Sequence, residues 1–404
     1  MSRLEELIQQ LCPDGVEYKA LGEIAVDIFR GNGIKREQVT DNGTPCVRYG
    51  EIYTTYGIWF DKCVSHTDEK EIPNKKYFGY GDILFAITGE SVEEIAKSTA
   101  YVGHEKCLAG GDIVVLKHTQ NPKYLSYALS TSFAQAQKSK GKVKSKVVHS
   151  SVPAIRDIRI PLPPLPVQQE IVRILDSFTE LTAELTAELT ARKKQYEYYR
   201  DELLTQCNAS KVELRQVVKK SCSGATPAKG HSEYYENGTI PWLRTQDVRF
   251  NEIYEIDSYI TEEAVKKTAA KWIPENCVIV AISGASAGRC AINKIKTTTN
   301  QHCLNMEIDG SKALYKYVYY CVASQYQELL SKKQGARGDL NSSLILGLQI
   351  PLPPLKEQRR IVSILDRFDT LCNDLTSGLP AEIEARKKQY EYYRDKLLSF
   401  KVKT

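Results

Sequence analysis

Several features that would place this 404-residue chain in other protein classes are missing. It contains no run of about 18 apolar residues, and Glu5 and Glu6 stand where a signal peptide would be apolar, so we expect neither a membrane span nor secretion. Its eleven cysteines are odd in number and form no CxxC pair, which argues against a disulfide framework and a zinc ribbon. The sequence therefore predicts a cytoplasmic protein with reduced thiols and no bound metal.

A strong excess of charge is also missing. The 55 Lys and Arg residues nearly balance 50 Asp and Glu, which leaves a net charge of +5 that permits nucleic-acid binding without demonstrating it. Hydrophobic residues make up 42% of the chain, too many for a disordered protein. At about 150 residues per domain, the length predicts more than one globular domain.

What the chain does have is an internal duplication. Residues 160–165 and 350–355 both read IPLPPL, and each copy is followed by the pattern QxxIVxILDxFxxL. Residues 191–201, ARKKQYEYYRD, recur unchanged at 385–395. This period far exceeds the length of a solenoid repeat, so it indicates a duplicated pair of domains. The segments that precede the two copies align only faintly, which makes them variable domains between near-identical spacers.

The first spacer has apolar residues at heptad spacing and two consecutive TAEL units at 182–189. This pattern predicts one continuous helix over residues 167–204, about 57 Å long at 1.5 Å per residue. In the second spacer, Gly378 and Pro380 interrupt the pattern and predict a break or kink. A long amphipathic helix inside one globular core is the alternative to a spacer.

These patterns predict an α/β (α+β) protein with two variable domains separated by an antiparallel pair of long spacer helices in a pseudo-two-fold arrangement. The N-terminal helix has the spacing of a spacer end, so the last helix is expected to abut it and close a circular arrangement. The expected segments are the N-terminal helix at 1–14, the first variable domain at 15–159, the central spacer at 160–208, the second variable domain at 209–349 and the last spacer at 350–404.

The two variable domains, the two copies of IPLPPLxxQxxIVxILDxF and the TAEL units resemble the specificity subunits of type I restriction-modification enzymes, of the type IC group. The resemblance implies that each variable domain is a target recognition domain for one half of an asymmetric, split sequence in double-stranded DNA. It implies that the spacers dock two modification subunits, which bind S-adenosylmethionine and methylate adenine. Restriction and translocation would belong to further subunits, and this chain would hold no cofactor.

We predict no catalytic residue in this chain. Residues 121–124 read NPKY, with Lys123 where the NPPY loop of amino-methyltransferases has proline, and residues 284–289 lack the Gly-Lys-Ser/Thr of a phosphate loop. Asp14 and Glu17 are too close in sequence for a nuclease metal site. A single-chain methyltransferase or restriction enzyme is thus the weaker alternative. A coiled-coil adaptor that binds no DNA is another, but it leaves the divergent domains and the basic segments unexplained.

A basic segment precedes each IPLPPL motif. In an extended chain, alternate residues point the same way and can face a phosphate backbone. On this basis we predict DNA-backbone contacts from Lys138, Lys140, Lys142, Lys144 and Lys146 in the first half and from Lys332, Lys333 and Arg337 in the second. A solvated run of charge is the alternative interpretation.

Base contacts are expected where polar residues follow the apolar strands shared by the two halves. Arginine can bind guanine through two hydrogen bonds, glutamine can bind adenine, and carboxylates can accept from cytosine. The first candidates are Arg48, Tyr49, Glu51, Arg244, Thr245, Gln246 and Asp247, and the second are Thr88, Glu90, Ser91, Ser283, Ser286 and Arg289. Each of them could instead be structural or contact phosphate.

Overall fold

The computed structural model describes residues 2–139, 142–144, 147–206, 209–332, 339–374 and 376–403, and it describes only the backbone at 142–144 and 147. The chain forms two compact units, Met1–Thr186 with Glu382–Thr404, and Ala187–Ala381. The division falls inside the spacers, so each unit combines one variable domain with parts of both spacers. No helix among the described residues has the length and apolar character that crossing a membrane requires.

Helices form the spacers and flank the sheets. Asn121 caps the helix that follows it by accepting a hydrogen bond from the Tyr124 backbone amide, so the NPKY segment opens a helix. The helices are α1 Arg3–Leu11, α2 Leu21–Ile24, α3 Tyr49–Thr54, α4 Pro122–Leu129, α5 Ser132–Lys138, α6 Val152–Arg156, α7 Leu165–Thr205, α8 Glu262–Lys267, α9 Tyr315–Ser324, α10 Tyr326–Ser331, α11 Ser342–Leu346, α12 Leu355–Asn373 and α13 Leu379–Leu397.

The first unit contains two five-stranded sheets, ordered β2-β12-β8-β10-β5 and β3-β6-β4-β11-β7, together with the smaller sheets β1-β15 and β13-β14-β9. Its buried core lies between the first of these sheets and helices α4 and α7. The strands are β1 Tyr18–Ala20, β2 Ala25–Arg30, β3 Val39–Thr40, β4 Thr44–Val47, β5 Trp59–Phe60, β6 Ser65–Thr67, β7 Tyr77–Phe78, β8 Ile83–Ala86, β9 Thr88–Gly89, β10 Ser98–Tyr101, β11 Cys107–Ala109, β12 Ile113–His118, β13 Lys142–Lys144, β14 Val147–His149 and β15 Arg159–Pro161.

The second unit repeats most of this topology with a different sequence, but its second sheet has four strands where that of the first unit has five. Its sheets are ordered β17-β25-β22-β23-β19, β20-β18-β24-β21 and β16-β26. The strands are β16 Lys211–Glu213, β17 Val218–Ser223, β18 Ile240–Leu243, β19 Glu252–Ile253, β20 Tyr259–Ile260, β21 Trp272–Ile273, β22 Val278–Ala281, β23 Cys290–Asn293, β24 Thr297–Thr299, β25 Cys303–Ile308 and β26 Gln349–Pro351. The predicted mixed fold with two variable domains is confirmed, and the two domains share one architecture.

The spacers follow the heptad prediction. Helix α7 is continuous over 41 residues, about 61 Å at 1.5 Å per residue. The rings of Phe178 and Tyr393 stack at 5.6 Å in the first unit, and those of Tyr199 and Phe368 stack at 6.0 Å in the second. The predicted break is also present, because α12 ends at Asn373 and α13 begins at Leu379.

The two ends of the chain meet in the first unit. The Val16 backbone amide donates to the Lys401 carbonyl at 2.8 Å, and the Lys403 amide donates to the Val16 carbonyl at 3.1 Å. The Tyr18 hydroxyl also donates to the Phe400 carbonyl at 3.2 Å. The predicted meeting of the two ends of the chain is therefore confirmed.

The duplicated motif that follows each IPLPPL anchors a helix of the variable domain. The fully buried Gln168 side chain accepts from the Asn121 amide at 3.1 Å and donates to the Pro163 carbonyl at 2.8 Å. Gln358 repeats this in the second unit, with the Leu314 amide at 2.9 Å and the Pro353 carbonyl at 2.8 Å.

An aspartate completes each anchor. It lies about two helical turns after each glutamine, on the same side of the helix. Asp176 accepts from the Lys123 ammonium and the Tyr127 hydroxyl, both at 2.7 Å. Asp366 accepts in the same way from Lys316 at 3.0 Å and Tyr320 at 2.6 Å. The repeated Gln and Asp thus hold α4 and α9 against the spacers, which explains why the motif recurs while the variable domains diverge.

Replacing either of the two buried glutamines is expected to destabilise only the unit that contains it. Gln168→Ala and Gln358→Ala each leave a half-buried backbone amide without its partner, which costs about 1–3 kcal/mol. Calorimetry should show one unfolding transition at lower temperature, and amide hydrogen exchange should place the loss in the first unit for Gln168→Ala and in the second for Gln358→Ala. The exposed Gln206→Ala serves as the control. Equal destabilisation by all three variants would contradict the anchoring role.

Candidate nucleic-acid interface

Four segments of the first variable domain meet where the parallel strands β4 and β11 end. The Gly110 amide donates to the Val47 carbonyl at 2.9 Å, and the Asn32 amide donates to the Ala109 carbonyl at 3.0 Å. The Ile87 amide donates to the Asp112 carbonyl at 2.9 Å. We call this group of loops, residues 30–34, 48–54, 86–91 and 110–112, the first interface.

Arg48 is held in place at the first interface by an acid three residues later. The Glu51 carboxylate accepts from the Arg48 backbone amide at 3.0 Å and from its Nε at 3.2 Å. Glu51 is only 7% exposed and also accepts from the Ser65 hydroxyl at 2.7 Å. The prediction of Glu51 as a base contact is therefore corrected, since its carboxylate is buried and committed to positioning Arg48. The neighbouring Tyr49 is exposed.

The second-rank candidates of this domain lie on the same edge. Strand β14 pairs with β9, so the hairpin β13-β14 is joined to the interface at Thr88, whose hydroxyl lies 3.3 Å from the His149 Nδ1. Glu90 is exposed, whereas the Ser91 hydroxyl accepts from the Glu94 amide at 3.2 Å. The backbones of Lys142 and Lys144 lie in β13, and Lys140 and Lys146 lie outside the described residues.

Lys138 does not lie on this surface. Its side chain is 5% exposed, and its ammonium donates to the Leu129 carbonyl at 2.7 Å and to the Ser98 hydroxyl at 3.2 Å. The expected phosphate contact is corrected because α5 extends through Lys138, so the two-residue alternation of an extended chain does not apply to it. Lys138 instead packs α5 against the sheet.

The buried Lys138 predicts a pH-dependent stability. Burial lowers the pKa of Lys138 to about 7, so the folded unit disfavours the ammonium relative to the unfolded chain. The loss of folding stability has its full size below about pH 7. It disappears as the pH rises towards about 10.4, the pKa of lysine in the unfolded chain. We expect Lys138→Met to raise the first unit's melting temperature at pH 6.5, and to raise it less at pH 9.5. Calorimetry with the exposed Lys62→Met as control tests this, and a pH-independent gain would contradict it.

The second variable domain repeats the arginine turn. The Arg244 backbone amide donates to the Asp247 carboxylate at 2.8 Å, and the Arg244 guanidinium lies 5.9 Å from the Trp242 ring centroid. The Arg244 Nε is buried without a partner among the described residues. Asp247 therefore binds the backbone of the turn as Glu51 does, but it is half-buried, and its base contact stays a prediction. Gln246 is exposed and Thr245 is half-buried.

The glycine-rich turn lies beside this arginine. The 3-10 turn Gly284–Ser286 packs against Thr245–Asp247, and the Ile282 amide donates to the His302 carbonyl at 2.9 Å. This places Ser283, Ser286 and Arg289, all half-buried, at the edge that carries Arg244. Of the predicted basic residues here, Lys332 is exposed and pairs with Glu328, and Lys333 and Arg337 lie outside the described residues.

One loop in each domain was missed by sequence reasoning. It spans residues 110–112 in the first domain and 300–302 in the second, where the Asn300 amide donates to the Leu243 carbonyl at 3.0 Å. In the second loop, Gln301 accepts from the Thr226 hydroxyl and its Nε2 lies 3.2 Å from the His302 Nε2. The sequence does mark these two loops, because both directly precede the long buried strands β12 and β25. We call residues 224–227, 244–247, 282–289 and 300–302 the second interface.

Comparison with known families identifies these two domains. A family described as type I restriction modification DNA specificity domain matches the chain twice, at residues 13–192 and 208–385. The chain belongs to this family. Each of the two interfaces thus lies within one copy of a specificity domain. Among the described residues, no three His, Cys, Asp or Glu side chains are grouped so that they could hold a metal ion.

Curated members of the specificity family are similar to the chain over most of its length. The specificity subunit of the type I restriction enzyme EcoR124I/EcoR124II from Escherichia coli is 41% identical over 258 residues, which cover 61% of this chain and 63% of that subunit. A putative type I specificity subunit from Haemophilus influenzae, S.HindORF215P, is 36% identical over 279 residues, or 64% of this chain and 68% of the relative. The match thus spans just under two thirds of the E. coli subunit.

Solved structures of the specificity family share the fold. A chain from a study of complex assembly and conformational transition in the type I R-M system aligns with a TM-score of 0.67 at 18% identity, and the alignment covers 96% of this chain and 98% of that one. The S subunit of a type I restriction-modification system from M. genitalium aligns with a TM-score of 0.53 at 14% identity, over 95% of this chain and 96% of the other. At these identities, the likeness concerns the architecture of the specificity domains.

Proposed function

We propose that this chain is the non-catalytic, sequence-specific DNA-recognition subunit of a type I restriction-modification complex, and that it acts in the cytoplasm. The observation that carries the proposal is the repeated interface. Two domains of one topology and different sequence each present an arginine turn, a polar loop before a long strand and further polar residues at one edge. Different side chains on the same scaffold suit the reading of two different half-sites.

The basic hairpin supports duplex binding by the first domain. The hairpin β13-β14 joins the first interface through β9, and its sequence places Lys142 and Lys144 there. Lysines near a base-reading edge can neutralise phosphates and release counterions, which supplies affinity that does not depend on sequence. In this proposal the hairpin holds the duplex while the loops read the bases.

The repeated helical segments support docking of two identical partners. Residues 191–201 and 385–395 have one sequence, and the first copy lies in the second unit while the second copy lies in the first unit. We propose that each copy contributes to binding one modification subunit, which holds S-adenosylmethionine and methylates adenine. Restriction and translocation subunits would join the full complex.

Methylation mapping tests this function. We would combine the full chain with its modification subunits and S-adenosylmethionine, treat a randomised duplex library, and sequence the methylated positions. The expected result is adenine methylation within one asymmetric, bipartite motif. Modification subunits without this chain serve as the control. Methylation that is independent of this chain, or that follows no motif, would contradict the proposal.

A further inference from the structure

A cavity of about 480 Å³ opens at the first interface. Arg48, Tyr49 and Thr54 line one side of it, and Gly110 and Asp112 line another. It therefore lies between the arginine turn and the loop before β12, and it combines a guanidinium with a carboxylate.

The guanidinium in this cavity is oriented before any ligand binds. Its Nε donates a hydrogen bond to the buried Glu51 carboxylate, which also accepts from the Ser65 hydroxyl. Neither Nη atom of Arg48 has a partner among the residues that the structure describes. A guanidinium fixed in this way keeps two donors available at low entropic cost, which favours recognition of two adjacent acceptors.

The carboxylate is oriented as well. Asp112 accepts from the Arg30 Nη2 at 2.6 Å through its Oδ1, and the Arg30 Nε donates to the Gly111 carbonyl at 2.5 Å. Within the described ranges, the Asp112 Oδ2 has no partner and remains available as an acceptor. Arg30 therefore fixes the direction of this acceptor in the way that Glu51 fixes the donors of Arg48.

The two loops approach each other closely because Gly110 has no side chain. A Cβ at Gly110 would lie 2.8 Å from the Val47 carbonyl oxygen and 3.3 Å from the Arg48 Cα. The chain thus brings the backbone before Asp112 directly against the backbone of Arg48. This approach keeps the donor and the acceptor on the walls of one cavity.

We propose that this cavity recognises one G·C base pair of the first half-site, an inference that rests on the proposed function. In the major groove, guanine offers two adjacent acceptors, N7 and O6, and cytosine offers the N4 donor beside them. The Nη donors of Arg48 bind the guanine edge, and the Asp112 Oδ2 accepts from cytosine N4. An A·T pair has a donor between two acceptors, so it cannot satisfy both Nη donors on one base.

The test uses the assembled complex and the randomised duplex library. We would map methylation with Arg48→Ala, Arg48→Lys and Asp112→Asn in the full chain. Arg48→Ala should reduce the preference for G·C at one position of the first half-site by about tenfold or more. Arg48→Lys should lose the same preference while keeping DNA affinity, because lysine has the charge without the fork of donors. Asp112→Asn should weaken the preference at that same position.

The controls separate base recognition from other roles. Asp61→Asn and Lys62→Ala change exposed charges in the turn after β5, which lies at the opposite end of the sheet, and should leave the motif unchanged. The second half-site serves as an internal control in every variant. A uniform loss of methylation with unchanged base preference in the Arg48 variants would overturn the assignment, since it indicates a phosphate contact. Motif-independent methylation by the unmodified complex would instead overturn the proposed function, and the assignment with it.

Discussion

Insertion of one further Thr-Ala-Glu-Leu unit after Leu189 is expected to widen the gap between the two half-sites by one to two base pairs. Helix α7 is uninterrupted from Leu165 to Thr205, so four added residues lengthen it by about 6 Å. One base pair of duplex DNA rises about 3.4 Å. Four residues also come close to one helical turn of 3.6 residues, so the insertion leaves the helix face nearly in register.

The insertion lies outside both interfaces, so both half-sites should be retained. Methylation mapping with the modification subunits measures the gap directly. The exposed substitution Ala187→Ser, which keeps the length of α7, is the matched control and should leave the gap as it is. If the complex with the insertion variant methylates the original motif with an unchanged gap, this helix does not set the spacing between the half-sites.

Much of the fold was predictable because the chain contains two copies of the spacer, which can be compared with each other. The heptad pattern predicted a helix over residues 167–204, and the structure has it at Leu165–Thr205. The break near Gly378 was predictable for a local reason, since proline is tolerated only in the first turn of a helix. The meeting of the chain ends followed from the N-terminal helix, which has the spacing of a spacer end.

The common topology of the two variable domains could not be predicted in the same way. Many of their strands have only two to four residues, too short for a periodic pattern, and the parallel pair of β4 with β11 joins segments about 60 residues apart. The sequence aligned the halves at a few positions only. The pairing order is therefore set by non-local contacts that one sequence does not display.

The structure brings the predicted base-contact residues of each domain to one edge, and their contact with DNA stays a prediction. Glu51 and Asp247 are the residue types that read cytosine, yet both lie three residues after an arginine whose backbone amide they bind. An acid at this spacing is typical of a capped turn, and this local signal should have outweighed the residue type. The position of residues 110–112 and 300–302 before long buried strands was visible in the sequence, but their proximity to the arginine turns depends on strand pairing and was not.

Alanine at both Tyr198 and Tyr392 is expected to weaken binding of both modification subunits, and alanine at either one should weaken binding of one of the two. These tyrosines occupy the same position in the repeated segments and are 64% and 61% exposed. Each packs edge-on against the next tyrosine, at 5.5 Å for Tyr199 and 5.3 Å for Tyr393. Large aromatic side chains that are rigid and exposed are typical anchors of a protein interface.

The expected loss is about 30-fold or more in affinity at each site, which corresponds to at least 2 kcal/mol for an anchor residue. Native mass spectrometry of the reconstituted complex counts the bound modification subunits in each variant. Tyr254→Ala is the matched control, because Tyr254 is also 64% exposed but lies outside the repeats. Since exposed side chains contribute little to folding, unchanged melting temperatures should accompany the loss. Two modification subunits bound to the double variant would show that docking depends on another surface.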